Sequence, residues 1–93
     1  MYVYWRSAGE EDIAPVRNLS MGGLFIETHA PKTAGVSAKL HFLVQEGQIR
    51  VDAVVRHTNP GRGLGLRFTA VHNDDRQRLA ELMRRLRRSY LSG

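Results

Sequence analysis

The stretch Arg17-Asn18-Leu19-Ser20-Met21-Gly22-Gly23-Leu24-Phe25-Ile26-Glu27-Thr28 decides how this chain is read: a polar turn holding two glycines runs straight into an apolar strand. Asn18 and Ser20 are two residues apart, so on an extended backbone their side chains share one face and Leu19 takes the other. The same alternation sets Arg17 on the face opposite Asn18. Gly22 and Gly23 carry no Cβ, which allows a positive φ, a bulge, or the close approach of another molecule. Such a turn can hold a polar ligand by backbone and side chain together. It can equally be a turn in which Asn and Ser bond their own backbone.

Working outward, residues 2–5 are aromatic and β-branched and predict a first strand. Residues 7–12 read as a polar turn and 13–18 as the returning strand, with Pro15 inside it arguing for an edge position or a bulge. The third strand is expected over 24–27, ahead of a loop over 29–35 with Pro31 near its start and Gly35 at its end. Residues 37–44 set Leu40, Phe42 and Val44 against Lys39, His41 and Leu43, the period of a half-buried strand. After a turn at 45–48, residues 49–57 alternate again, with Ile49, Val51, Ala53 and Val55 opposite Arg50, Asp52, Val54 and Arg56. A turn signal at 58–63 precedes the last strand, 64–69, in which Leu64, Leu66 and Phe68 share a side. Six short strands at hairpin spacing predict a mostly β fold, a small six-stranded antiparallel β-barrel spanning about 2–70.

The period then changes. Leu79, Leu82, Met83, Leu86 and Tyr90 fall at i, i+3, i+4, i+7 and i+11, one apolar stripe on a helix expected over about 74–91. Asn73 is placed to cap it, Asp74 and Asp75 suit its positive end, and the arginines from Arg84 to Arg88 suit its negative end. The stripe is expected to pack on the barrel mouth or partly against a second subunit.

Asn18-x-Ser20-x-x-Gly23 is similar to the (Asp/Asn)-x-Ser-x-x-Gly signature of PilZ domains, bacterial modules that bind the second messenger cyclic di-GMP outside a small β-barrel. The Gly-Gly-Leu-Phe-Ile run at 22–26, the Gly63-Leu64-Gly65-Leu66-Arg67-Phe68 strand and the basic closing helix extend the resemblance over nearly all of the chain from Tyr2. The resemblance implies that Asn18, Ser20 and Gly23 contact guanine and phosphate, with the neighbouring Arg17 and Gly22 completing the candidate set. One part of the family pattern is missing. PilZ domains that bind well carry an Arg-x-x-x-Arg pair before the first strand, whereas here the first strand begins almost at Met1 and Arg6 is the sole arginine before Arg17. Two lost charge-assisted contacts cost about 3–6 kcal/mol together, enough to turn a micromolar site into one of around millimolar or worse. Weak or absent nucleotide binding is therefore expected, unless Arg6, Arg17 or a tail arginine substitutes.

Composition narrows the alternatives. The 93 residues read as a single domain over 1–93 with one modest core, and they contain no cysteine, so disulfides and thiolate metal sites are excluded. The absence of a long apolar run or a signal-peptide layout sets the expectation of a cytoplasmic protein with no membrane insertion. Net charge is +5, and the excess is densest in the tail: residues 74–93 hold six Arg against three acids, residues 1–73 eight Lys or Arg against six. Anionic partners are favoured.

Catalysis finds little support. Ser20 lacks the Gly-x-Ser-x-Gly frame, and His29, His41, His57 and His72 show no i, i+4 metal-binding pair, so no catalytic residue, metal or cofactor is expected. Nucleic-acid binding is disfavoured because arginines opposite an apolar stripe are usually a solvated face and the strands reveal no aromatic stacking platform. The expected partners are cyclic di-GMP and a protein, with self-association through the C-terminal helix as one route.

Overall fold

The computed structural model describes residues 1–30 and 32–92, with side chains described up to residue 88. Six antiparallel strands, β1 (Tyr2–Ser7), β2 (Glu10–Arg17), β3 (Gly23–Glu27), β4 (Ser37–Leu43), β5 (Arg50–Asn59) and β6 (Gly63–Val71), close into a barrel in the order β1-β2-β3-β6-β5-β4. A 3₁₀ turn at Asn73–Asp75 leads into the helix α1 (Arg76–Ser92). The expected barrel and terminal helix are both present.

Alternation builds the core. Val3 and Trp5, Leu24 and Ile26, Leu40 and Phe42, Val51 and Val55, Leu64 and Leu66 all point inward and are buried. Leu79 and Leu82 of α1 join the same cluster with no exposed surface, and Leu86 packs half-buried against it. Leu79, Leu82 and Leu86 of the stripe are thus covered by the barrel of their own chain, while Met83 is half-buried. The last member of the stripe, Tyr90, lies outside the residues whose side chains are described.

Several boundaries differ from the sequence reading, each for a local reason. The β1–β2 turn shrinks from 7–12 to Ala8-Gly9, both with positive φ (49° and 82°), the geometry that matches the twist of a two-residue hairpin. Pro15 sits in β2 opposite Tyr2, and because the Val16 N–H bonds the Met1 carbonyl on the β1 side, the missing N–H of Pro15 falls on the β3 side. There β2 pairs with β3 only through Val16 and Arg17. The sheet is closed, yet β2 is locally an edge, as a proline in a strand requires.

The helix start is the clearest correction. Asn73 opens a 3₁₀ turn and the residue before it, His72, makes no side-chain capping bond, so α1 proper begins at Arg76. Asp75 does more than suit a dipole. It is fully buried, its Oδ2 accepts from the Arg50 backbone N–H (2.8 Å) and Nε (3.0 Å), and its Oδ1 accepts from Arg78 (2.8 Å). One carboxylate therefore ties the helix N-terminus to the first residue of β5. Arg85 makes a second tie, donating to both carboxylate oxygens of Glu46 in the β4–β5 turn (2.5 and 3.0 Å).

Candidate functional site

The turn between β2 and β3 carries the candidate residues, and its backbone is not extended. Asn18 has φ +53°, the left-handed region that Asn tolerates better than most residues, so the alternation stops there. Arg17 and Asn18 both line one groove with Pro15, Phe25 and Glu27, and Asn18 also lines a second groove over β6. Leu19 is half-buried against the core, while Asn18 and Ser20 are exposed.

Ser20 is held by its own turn. Its backbone N–H donates to the Gly23 carbonyl (2.8 Å), its Oγ donates to the same carbonyl (3.2 Å), and its Oγ accepts from the Gly22 N–H (3.2 Å). The Asn18 amide has no hydrogen bond among the described residues, so its polar edge is available to a ligand. The two glycines divide the roles suggested for them. Neither has a positive φ; Gly22 faces open space, whereas a Cβ on Gly23 would come within 2.3 Å of the Leu66 carbonyl oxygen. The molecule that approaches Gly23 closely is the neighbouring strand β6.

Arg17 is not a free cation. Its Nε donates to Glu27 at 2.7 Å, and both side chains are exposed. Arg6 lies at the β1–β2 hairpin with Ser7, Ala8 and Gly9, away from the turn. Neither is placed as an unpaired substitute for the missing arginine pair.

Other cations reach the turn instead. An open groove of about 560 Å³ runs over the outer face of β3, β6 and β5, and its lining brings Asn18, Ser20 and Gly23 together with Arg56, His57 and Arg67. Arg56 and Arg67 are exposed and make no ion pair among the described residues. Arg67 stands directly opposite Gly23 in the β3–β6 ladder.

The same face corrects the expectation that the strands offer no aromatic platform. The rings of Phe25 and His57 stack, with centroids 6.3 Å apart and planes 27° from parallel. Each leans over a glycine of β6: a Cβ on Gly65 would meet the His57 ring at 2.1 Å, and one on Gly63 would meet the Ile26 carbonyl oxygen at 2.0 Å and the Phe25 ring at 2.7 Å. Strict alternation past Val55 would turn His57 inward. A register shift between Val55 and His57 inserts Arg56 as an extra residue, so both Arg56 and His57 come out on the surface. Nothing local in the sequence marks that bulge, although two glycines spaced by two on β6 were a signal that something lies close over its outer face.

The architecture is a closed antiparallel barrel with an exposed polar turn on its outside, beside an open groove whose Arg56 and Arg67 have no ion pair among the described residues. The chain belongs to the PilZ domain family, whose model matches residues 2–85. PilZ is a family of ligand-binding and signalling domains. The search of curated proteins returned no match. Among the described residues no group of His, Asp and Glu is arranged to hold a metal, and no helix is long and apolar enough to cross a membrane.

Proposed function

We propose that this chain is a non-catalytic signalling module of the cyclic di-GMP receptor type, acting in the cytoplasm, and that these 93 residues alone bind the nucleotide weakly. The observation that carries the reading is the junction of the Asn18–Gly23 turn with the groove holding Arg56 and Arg67. An amide edge and two guanidiniums, none with a hydrogen-bond or ion-pair partner among the described residues, beside one open surface suit a ligand with both a base and a phosphodiester. Weakness follows from the missing Arg-x-x-x-Arg pair, worth about 3–6 kcal/mol, only part of which Arg56 and Arg67 restore from their places on the strands.

Calorimetric titration with cyclic di-GMP at moderate salt tests this, alongside Asn18→Gly and Ser20→Ala. Binding near the millimolar range that either substitution weakens is the expected result. Micromolar binding would overturn the weakness; binding indifferent to both substitutions would remove the turn from the site.

A second reading has its own observation. The outer face of β2, β1 and β4 exposes Ile13 and Tyr2 (54% each) and Leu43 (48%), with Pro15, Tyr2 and Leu43 in one cross-strand row. Contiguous apolar surface of this kind favours a protein-contact module, which is the alternative role for the barrel. A partner or self-association lost on Ile13→Glu, with nucleotide present or absent, would favour it.

A further inference from the structure

We infer that the Phe25–His57 shelf is a purine-stacking subsite, with Arg56 and Arg67 as the phosphate contacts beside it. The inference rests on the nucleotide-binding reading above and names the residues that supply its affinity.

Four features converge on this face. The first is the ring pair itself: Phe25 and His57 stack with planes 27° from parallel on the outside of a barrel, where an aromatic residue gains little from burial. Second is the cost of making it. Glycine inside a strand is unfavourable because it loses more backbone entropy and packs nothing, yet β6 has Gly65 directly under the His57 ring, and Gly63, which the Ile26 carbonyl oxygen already crowds, lies under Phe25 as well. Third is the bulge at Arg56, which breaks the ladder and turns His57 out onto Gly65. Bulges re-aim side chains in this way beside functional surfaces. Fourth is charge: Arg56 and Arg67 line the groove with the shelf and have no acidic partner among the described residues, while Arg17, in the neighbouring groove with Arg62, is paired with Glu27.

The chemistry that fits all four is a planar base next to a phosphodiester. A base stacks on aromatic faces whatever its sequence, for roughly 1–3 kcal/mol each, and guanidinium groups hold the attached phosphate. An acidic peptide would use the arginines but not the stacked rings. The Asn18 amide at the groove's edge adds a donor and an acceptor for the rim of the base.

The test is an NMR titration of the 93-residue chain with cyclic di-GMP, with 5′-GMP and with ribose 5-phosphate, each to millimolar concentration, on the parent chain and on Phe25→Leu and His57→Ala. The expected result is movement of the Phe25 and His57 ring signals with cyclic di-GMP, no ring movement with ribose 5-phosphate, and about tenfold weaker binding in each variant. Both substitutions are at the outer surface, and an unchanged amide spectrum away from the groove verifies folding. Cyclic di-GMP shifts confined to residues 18–23, or undiminished affinity in Phe25→Leu, would overturn the shelf and leave the cyclic di-GMP reading standing. Ring shifts with 5′-GMP but none with cyclic di-GMP would overturn that reading and keep the shelf as a purine mononucleotide site. No shift with either nucleotide would overturn both.

Discussion

The imidazole of His57 occupies the space that a side chain on Gly65 would need, its Cε1 lying 2.1 Å from the position of a β-carbon there. The atoms met are the end of a side chain that can rotate away, so Gly65→Ala should lift the ring without unfolding the barrel. Stability measured by urea denaturation is expected to change by less than about 1 kcal/mol, because alanine also relieves the glycine's entropic cost. Nucleotide affinity, followed by NMR titration, is expected to fall about tenfold as the shelf is broken.

Gly23 and Gly22 should part company under the same substitution. A Cβ on Gly23 meets the backbone oxygen of Leu66, which cannot move without disturbing the β3–β6 ladder, so Gly23→Ala is expected to cost about 2–3 kcal/mol. Gly22 has open space and no positive φ, so Gly22→Ala should cost under about 0.5 kcal/mol. Chemical denaturation of the two variants side by side checks the difference.

Asn18 separates backbone from side chain. Asn18→Gly keeps the left-handed turn and removes the amide, so its melting temperature should stay near that of the parent chain. Asn18→Ala must hold φ +53° with a Cβ and no local hydrogen-bonding group, at a cost of about 1 kcal/mol. Both should weaken cyclic di-GMP equally in the titration, since both delete the same amide. Unequal loss would assign the effect to the turn rather than to the side chain.

Acid should loosen the helix before it opens the barrel. Burial alone would push the Asp75 carboxyl up, but the bonds from the Arg50 guanidinium and backbone N–H, with the charges of Arg50 and His72, outweigh it and hold the group below the usual range. The Arg85 hydrogen bond holds Glu46 low in the same way and raises Arg85 in return. A carboxyl depressed in the folded state contributes its stability above its unfolded pKa, about 4 for these groups, and loses it as pH falls through the folded value. Far-ultraviolet circular dichroism and urea midpoints should therefore be flat from neutral pH to about 5 as far as these two groups decide. They should fall at lower pH. Asp75→Asn should flatten that acid limb and lower neutral-pH stability by about 2–3 kcal/mol, because the groups gathered around the carboxylate lose its charge.

Both barrel and helix could be read from the chain because each rests on a local period. Leu40 and Phe42 against Lys39 and His41, or Leu79, Leu82 and Leu86 along one stripe, mark which face is buried whatever the strands pair with. The turn at Asn18–Gly23 was readable too, as a polar break before an apolar strand. Which of its residues would carry the unusual backbone was not: the left-handed φ fell on Asn18 and not on a glycine.

The sequence by itself determined the elements, the inward faces and the place of the candidate turn, since these follow from alternation, helical spacing and turn chemistry within a few residues. Only the tertiary structure decided what stands beside that turn. The strand order β3-β6-β5 sets Phe25, Gly65 and His57 in one row, and the bulge at Arg56 turns His57 outward into it. Asp75 likewise became a buried clamp only when β5 delivered Arg50 to it. The physical reason is common to both: pairing partners and register are set by the closure of the whole barrel, and no short window of the chain records which distant residue will arrive.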